Sequence, residues 1–242
     1  MDSFVIEIAG LVVEVGSNYV STRDYCRDFW CDTEASCSVR VTERDIAREQ
    51  ELLDLEADLE GLKRRKFSGP FLERSVIQRR VAELLVERNT VMLHGSTVAV
   101  DGQAYLFTAA CGTGKSTHTR LWRELFGERA VMVNDDKPFL QVTDGGVLVF
   151  GSPWMGKHGL GNNIRAPLRG ICILTRGPNN RIWPIGRADA VGMLRSQIYL
   201  PEGRELSALE LLEQIMEYVP LWHMECTCDQ DAARIAYDAM SI

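Results

Sequence analysis

The chain has 242 residues, 45% of them hydrophobic and 25% charged. That balance excludes an intrinsically disordered or low-complexity protein and fits one large domain, or a main domain with a small appendage. Lys and Arg number 27 against 34 Asp and Glu, a net charge of −7, which argues against a nucleic-acid or anionic-membrane partner. The longest apolar runs, such as Leu11 to Val13 and Ile171 to Leu174, fall far short of a membrane span. Asp2, Glu7 and Glu14 stand where a leader would be basic, so the expectation is a cytoplasmic protein. The seven cysteines, at 26, 31, 37, 111, 172, 226 and 228, are odd in number and irregular in spacing, which does not describe a disulfide framework. Cys226 and Cys228, taken with Cys26, Cys31 and His223, match none of the usual zinc spacings and read as free thiols.

In chain order, residues 4 to 14 read as one β-branched strand, and Ser38 to Val41 as another. Thr42 opens a helix, with Asp45 three residues later as an acidic capping box. Leu52, Leu55, Leu59 and Leu62 form a stripe that predicts a helix laying one face on the body of the protein. Lys63 to Lys66 are expected at its C-terminal end, where cations suit the macrodipole. Ser68-Gly69-Pro70 starts a second amphipathic helix, from Phe71 to about Arg88, with Val76, Ile77, Val81, Leu84 and Leu85 on one face. Residues 1–90 therefore read as a small N-terminal α+β module packing on the core, and 91–242 as the main domain.

From residue 91 the pattern changes. Val91 to His94 is a strand that Ser96 to Val100 continues, and Asp101-Gly102 turns it into Gln103 to Thr108. Ala109-Ala110-Cys111-Gly112-Thr113-Gly114-Lys115-Ser116-Thr117 follows, then a helix to Phe126 stopped by Gly127. Val131 to Val133 is a buried strand ending at Asn134-Asp135-Asp136-Lys137. Phe139 to Val142 and Val147 to Phe150 flank a second turn. Residues 151 to 169 read as a glycine-rich irregular segment, Ile171 to Thr175 as a strand, and Ser207 to Tyr218 and Gln230 to Met240 as helices. Strands, helices and hairpins together predict an α/β fold with a mixed sheet.

The strongest chemical signal is the strand, glycine-rich turn and Gly-Lys-Ser-Thr helix start. Gly112 and Gly114 let the backbone curl so that successive amides face a phosphate chain resting on the helix N-terminus. Lys115 is placed to reach the β- and γ-phosphates, and the Ser116 hydroxyl to ligate magnesium. Ala109 stands where the usual pattern has a glycine; if that position needed positive φ, alanine would cost on the order of 1–2 kcal/mol. Twenty residues after Lys115, Asp135 and Asp136 end a short strand. A strand paired beside the loop strand would bring both near the γ-phosphate, one to hold magnesium and the other to accept a proton from an attacking hydroxyl.

His94-Gly95 in the hairpin, Gly112-Thr113-Gly114-Lys115-Ser116, and Asp135-Asp136 after a short strand resemble the catalytic domain of HPr kinase/phosphorylase. That domain shares its P-loop nucleotide-binding core with ATP-type phosphoenolpyruvate carboxykinase. The resemblance spans roughly residues 91 to 175 and is strongest to the small HPr-kinase-related proteins, some of which phosphorylate a peptide hydroxyl. It implies a mixed-sheet P-loop core, ATP and Mg2+ as cofactors, and nucleotide contacts from Cys111, Gly112, Thr113, Gly114, Lys115, Ser116 and Thr117. It also implies a phosphate-facing His94, metal ligation by Ser116 and Asp135, Asp136 as general base, and assembly into a homo-oligomer. The implied activity is transfer of a γ-phosphate to a hydroxyl of a peptide, protein or small-molecule acceptor.

This chain departs from the family downstream. Pro153 to Asn163 replaces the signature of HPr kinases proper, and no carboxylate occurs between Asp144 and Asp189. Lys157, His158 and Arg165 in that stretch are the candidates for holding substrate or transferred phosphate. The missing carboxylate keeps a second reading open, a nucleotide-binding sensor or regulatory module with little phosphotransfer. A GTPase fits less well, because no Asp-x-x-Gly switch lies in the expected region and no Asn-Lys-x-Asp motif is found.

Overall fold

The computed structural model describes residues 2–59, 61 and 63–241, apart from the Leu59 side chain. Residues 1–84 and 85–242 form two compact units. The sequence places the division at 90, after the second amphipathic helix. That helix ends at Val86, and Val86 belongs to the core of the second unit.

In the first unit, the stretch read as one strand is two, β1 (Asp2–Ile8) and β2 (Leu11–Ser17), antiparallel in register from Asp2–Ser17 to Ile8–Leu11. Ala9 and Gly10 turn the chain between them at φ 49° and 77°. Both central residues at positive φ is what a type I′ hairpin turn requires, and alanine in the first place conceals it from sequence. A short helix α1 (Val20–Tyr25), unforeseen in the sequence, precedes β3 (Cys37–Arg40), which runs parallel to β2. Helix α2 (Glu43–Leu59) opens on the Thr42–Asp45 box, with the Thr42 amide donating to Asp45 Oδ2 at 2.8 Å and the Asp45 amide to Thr42 Oγ1 at 3.3 Å.

Two expectations for α2 are corrected. Leu55 is 54% exposed, so the leucine stripe does not pack as one face, and Leu62 lies outside the described residues. What α2 buries instead is Glu49, bound at 2.9 Å by Arg79 of α3 (Gly69–Val86), while Arg80 holds Asp45 at 2.6 Å. The basic run 63–66 lies beyond the helix, because the chain turns at Gly61 with φ 67°. Val76, Ile77, Val81 and Leu85 of α3 are buried as their spacing predicts.

The second unit is a mixed α/β structure. Its strands are β4 (Thr90–Met92), β5 (Ser96–Val100), β6 (Gln103–Thr108), β7 (Ala130–Asn134), β8 (Phe139–Thr143), β9 (Gly146–Phe150), β10 (Arg165–Arg176), β11 (Arg181–Pro184) and β12 (Leu221–Cys226). The path through the sheet is β4-β8-β9-β10-β6-β5-β7, with β12 beside β10 and β11 beside β12. Strands β6, β10 and β12 are parallel and the remaining neighbours antiparallel.

Strands β4 and β5 do not form one continuous strand, as the sequence reading expects. They lie in different parts of the sheet, and so do β7 and β8. The connecting segments 93–95 and 135–138 run side by side: the Leu93 amide donates to the Pro138 carbonyl at 3.2 Å, and the Gly95 amide to the Asp136 carbonyl at 3.0 Å. The sheet thus curls until its two ends meet. Strand β10 makes the other bend, pairing β9 through residues 165–167 and β6 from Leu168 onward. Pro167 falls on the β9-only part, where its missing N–H is tolerated. It also disguises the start of the strand, so the irregular segment expected to reach 169 ends at 164.

Helices cover both faces. Ala190 and Leu194 of α5 (Arg187–Arg195) and Ala208, Leu211, Leu212 and Ile215 of α6 (Glu205–Tyr218) join a core with Leu106, Val149 and Ile171. On the other face, Leu121 and Trp122 of α4 (Lys115–Phe126) and Ala232, Ala233 and Ala236 of α7 (Gln230–Met240) pack with Phe107 and Cys172. The sequence gives α6 and α7 but shows neither α5, β11 nor β12. No described helix is long and apolar enough to cross a membrane.

Trp122 is the largest fully buried side chain, packed 5.2 Å from Phe107 and 4.8 Å from Tyr105. Trp122→Ala is expected to cost about 3–5 kcal/mol of stability, measured by denaturant unfolding.

Candidate functional site

The segment from Ala109 to Gly114 leaves β6 and enters α4, where Gly112 and Gly114 have φ of 76° and 126°. A side chain at either position would be strained, so glycine is what allows the curl. Ala109 does not have positive φ, so the expected strain at that position does not arise. Its carbonyl accepts from Lys115 Nζ at 2.9 Å. Burial lowers the Lys115 ammonium below its usual range, an effect opposed by Cys111, Asp136 and Asp135.

Asp135 and Asp136 reach this loop by a different route from the one expected. Strand β7 pairs with β5, not with the loop strand β6, so β5 intervenes. The carboxylates arrive because the crossing segments bring the end of β7 against the start of β5. Asn134, fully buried, builds the turn: its Nδ2 donates to the Ser152 carbonyl and Oγ at 3.0 Å, and its Oδ1 accepts from the amides of Asp136 at 2.8 Å and Lys137 at 2.6 Å. Sequence reasoning passed over Asn134, although an Asn ahead of Asp-Asp is turn chemistry of this kind. Asp135 is 6% exposed and accepts from Ser96 Oγ at 2.6 Å.

His94 lies on the facing crossing segment. Its amide donates to the Gln197 carbonyl at 2.7 Å, its carbonyl accepts from Thr108 Oγ1 at 2.8 Å, and its Nε2 stands 3.4 Å from Asp136 Oδ1. Burial, helped by Lys137 and Lys115, drives the imidazole pKa down to about 3, so it is neutral and its contact with Asp136 is not an ion pair. Burial pushes the Asp136 carboxyl above its usual range and Asp135 adds to this, against the pull of Lys137 and Lys115.

These groups line one cleft of about 460 Å³, in which Cys111, Gly112, Gly114, Lys115, Ser116 and Thr117 join His94, Asp135 and Asp136. The 3-10 turn Gly156–His158 also lines it, so Lys157 and His158 face the cleft. A Cβ on Gly156 would stand 3.0 Å from Asp136 Cβ, so only glycine lets this turn close over the carboxylate. Thr113 and Arg165 are not in the lining. Arg165 is exposed at the start of β10, paired with Phe150, because the strand begins earlier than expected. Trp154 is buried, its ring edge-on to Phe139 at 6.3 Å.

Arg176, at the end of β10, is a further residue that no sequence signal marked. Its Nε donates to the Thr113 carbonyl at 3.2 Å and its Nη2 to the Gly112 carbonyl. Two hydrogen bonds from one guanidinium fix the loop at Gly112 and Thr113, and the Thr113 amide donates to the Ala110 carbonyl at 3.2 Å. Among the described residues, no three His, Cys, Asp or Glu side chains gather as a metal-binding group. The seven cysteines are free thiols.

No protein-family model and no curated protein matches this chain. Among solved structures, a match is found to the HPr(Ser) kinase/phosphatase from Coxiella burnetii, at 11% identity and a TM-score of 0.34, covering 62% of this chain and 99% of that one.

Directly behind the loop, His118 is buried and accepts from Trp122 Nε1 at 3.1 Å, and burial lowers its pKa from 6.5 to about 3. Below pH 6.5 the unfolded chain binds a proton that the folded chain refuses, so stability falls as pH drops toward 3. Between pH 7 and pH 5 this one group is expected to remove about 2 kcal/mol. Urea melts at the two pH values check it: His118→Gln, which keeps an acceptor for Trp122, should show a smaller difference.

Proposed function

We propose that residues 91–242 form a magnesium-dependent kinase domain that transfers the γ-phosphate of ATP to a hydroxyl, with residues 1–90 as an accessory module. The observation that carries this reading is the convergence, in one cleft, of a glycine-curled loop at a helix N-terminus with two adjacent carboxylates in different environments. The loop amides and Lys115, once released from the Ala109 carbonyl, suit the phosphates of a nucleotide. Arg176 acts behind them as a brace.

The two aspartates divide naturally. Asp135, buried and held by Ser96, suits a fixed ligand. Asp136, with its raised pKa and neutral His94 beside it, suits a proton acceptor. The donor set fits a hard cation: Ser116 offers a hydroxyl with no hydrogen bond among the described residues, and Asp135 a carboxylate. Magnesium held there would neutralise charge on the phosphates. In the reaction, Asp136 takes the acceptor's hydroxyl proton, the alcohol oxygen bonds to the γ-phosphorus, and the bond to the β–γ bridging oxygen breaks. The electron pair of that bond leaves with ADP. Lys157 and His158, exposed in the lining of the same cleft, would meet the acceptor, a peptide, protein or small alcohol.

Purified protein is expected to bind ATP and to form ADP when a hydroxyl acceptor is supplied from a panel of peptides and polyols, with both activities lost in Lys115→Ala. Asp136→Asn should lower kcat by at least a hundredfold, the lower range for a general base, with little change in nucleotide Kd. Absence of any ATP binding would overturn the reading. Tight binding without turnover against every acceptor would favour the sensor, which the lack of a downstream carboxylate supports.

The acid limb of kcat/KM should lie above the ordinary carboxylate range, because activity rises as Asp136 loses its proton. His94, with a pKa near 3, contributes nothing to that limb. A pH–rate profile unchanged in His94→Gln, apart from its height, checks the assignment.

A further inference from the structure

Three polar side chains lie buried together behind the cleft. Ser96 opens β5 and is fully buried, Thr119 sits in the first turns of α4 at 1% exposure, and Asp135 follows β7. Ser96 Oγ donates to Asp135 Oδ1 at 2.6 Å and stands 2.7 Å from Thr119 Oγ1. A carboxylate accepts only and a hydroxyl has one proton, so the proton between the two hydroxyls comes from Thr119. The hydrogen bonds run one way, from Thr119 to Ser96 to Asp135. The other acceptors within reach of Thr119, the carbonyls of Lys115 and Ser116, are farther, at 3.4 and 3.3 Å.

Alanine and valine would fill this space without the cost of burying hydroxyls. What the hydroxyls add is a connection. Helix α4 begins with Lys115 and Ser116, and the relay ties the carboxylate that follows β7 to that same helix, through the first residue of β5. Resting on the nucleotide reading above, we propose that Ser96 and Thr119 are positioning residues for the divalent cation. They fix Asp135 relative to Ser116 and so set how strongly the metal strengthens nucleotide binding, without touching nucleotide or metal themselves.

The test is calorimetric binding of ATP to the full chain, once with Mg2+ and once with EDTA. Ser96→Ala is expected to weaken binding in Mg2+ by about tenfold or more, the range found for partners of metal ligands, and to leave metal-free binding unchanged. Thr119→Val, which keeps the shape and removes the donor, should act in the same direction, and Thr119→Ser should restore the metal effect. Manganese titration followed by electron paramagnetic resonance should show the same order of affinities without any turnover. Equal losses with and without metal, or no loss in either variant, would overturn the relay. If Ser96→Ala does not fold, an unchanged metal effect in Thr119→Val overturns it alone. If the unaltered chain binds ATP under neither condition, the nucleotide reading itself has failed; if it binds and the variants match it, only the relay has.

Discussion

The hydrogen-bonded crossing of residues 93–95 with 135–138 is the constraint on which the rest of the second unit depends. Two hydrogen bonds there, from the amides of Leu93 and Gly95, bring the two ends of a curled sheet together. A Cβ on Gly95 would stand 3.1 Å from the Phe107 carbonyl and from Leu106 Cδ2, so glycine eases the packing of this segment against β6. His94 lies on one crossing segment, and Asp135 and Asp136 on the other. Without the crossing, the carboxylates would follow a strand separated from the loop strand by β5, with nothing to turn them toward Lys115.

Polar burial then differentiates what the crossing brings together. Asn134 uses both ends of its amide to hold the turn, and Ser96 fixes one oxygen of Asp135. Among the described residues, Asp136 has no such hydroxyl partner. It sits under Gly156, between Lys137 at 3.9 Å and a neutral His94 at 3.4 Å. Two identical side chains, adjacent in sequence, thereby stand in different surroundings. The difference lies in the hydrogen-bond donors that each can reach.

The loop is framed in a similar way. Its inner carbonyl, Ala109, accepts from Lys115, and its outer carbonyls, Gly112 and Thr113, accept from Arg176. Carbonyls taken up by side chains cannot bind the loop's own amides, of which only that of Thr113 donates within the loop among the described residues, to the Ala110 carbonyl at 3.2 Å. The position where alanine replaces glycine carries no strain because its φ is not positive, so the departure from the usual spacing has a structural answer.

What the sequence by itself determined was local. Gly112 and Gly114 before Lys-Ser, Asp101-Gly102 between apolar runs, the Thr42–Asp45 box and Gly127 after α4 are short-range signals, because turn and cap geometry is set by the residues that make it. The mixed α/β character followed from the same periodicities, and the loop and the aspartate pair stood out as candidates by their residue types and spacing. The tertiary structure alone decided which strands are neighbours, since β4 and β5 are three residues apart in the chain yet lie in different parts of the sheet. It decided that Arg165 pairs along a strand while Lys157 and His158 face the cleft, and that Ser96, Thr119, Asn134 and Arg176 surround the site. Asn134 also caps its own turn, but its bond to Ser152 and those joining Ser96 to Thr119 and Asp135 and Arg176 to Gly112 span 18 to 64 residues. Such contacts arise from sheet curvature and burial, which no local pattern encodes.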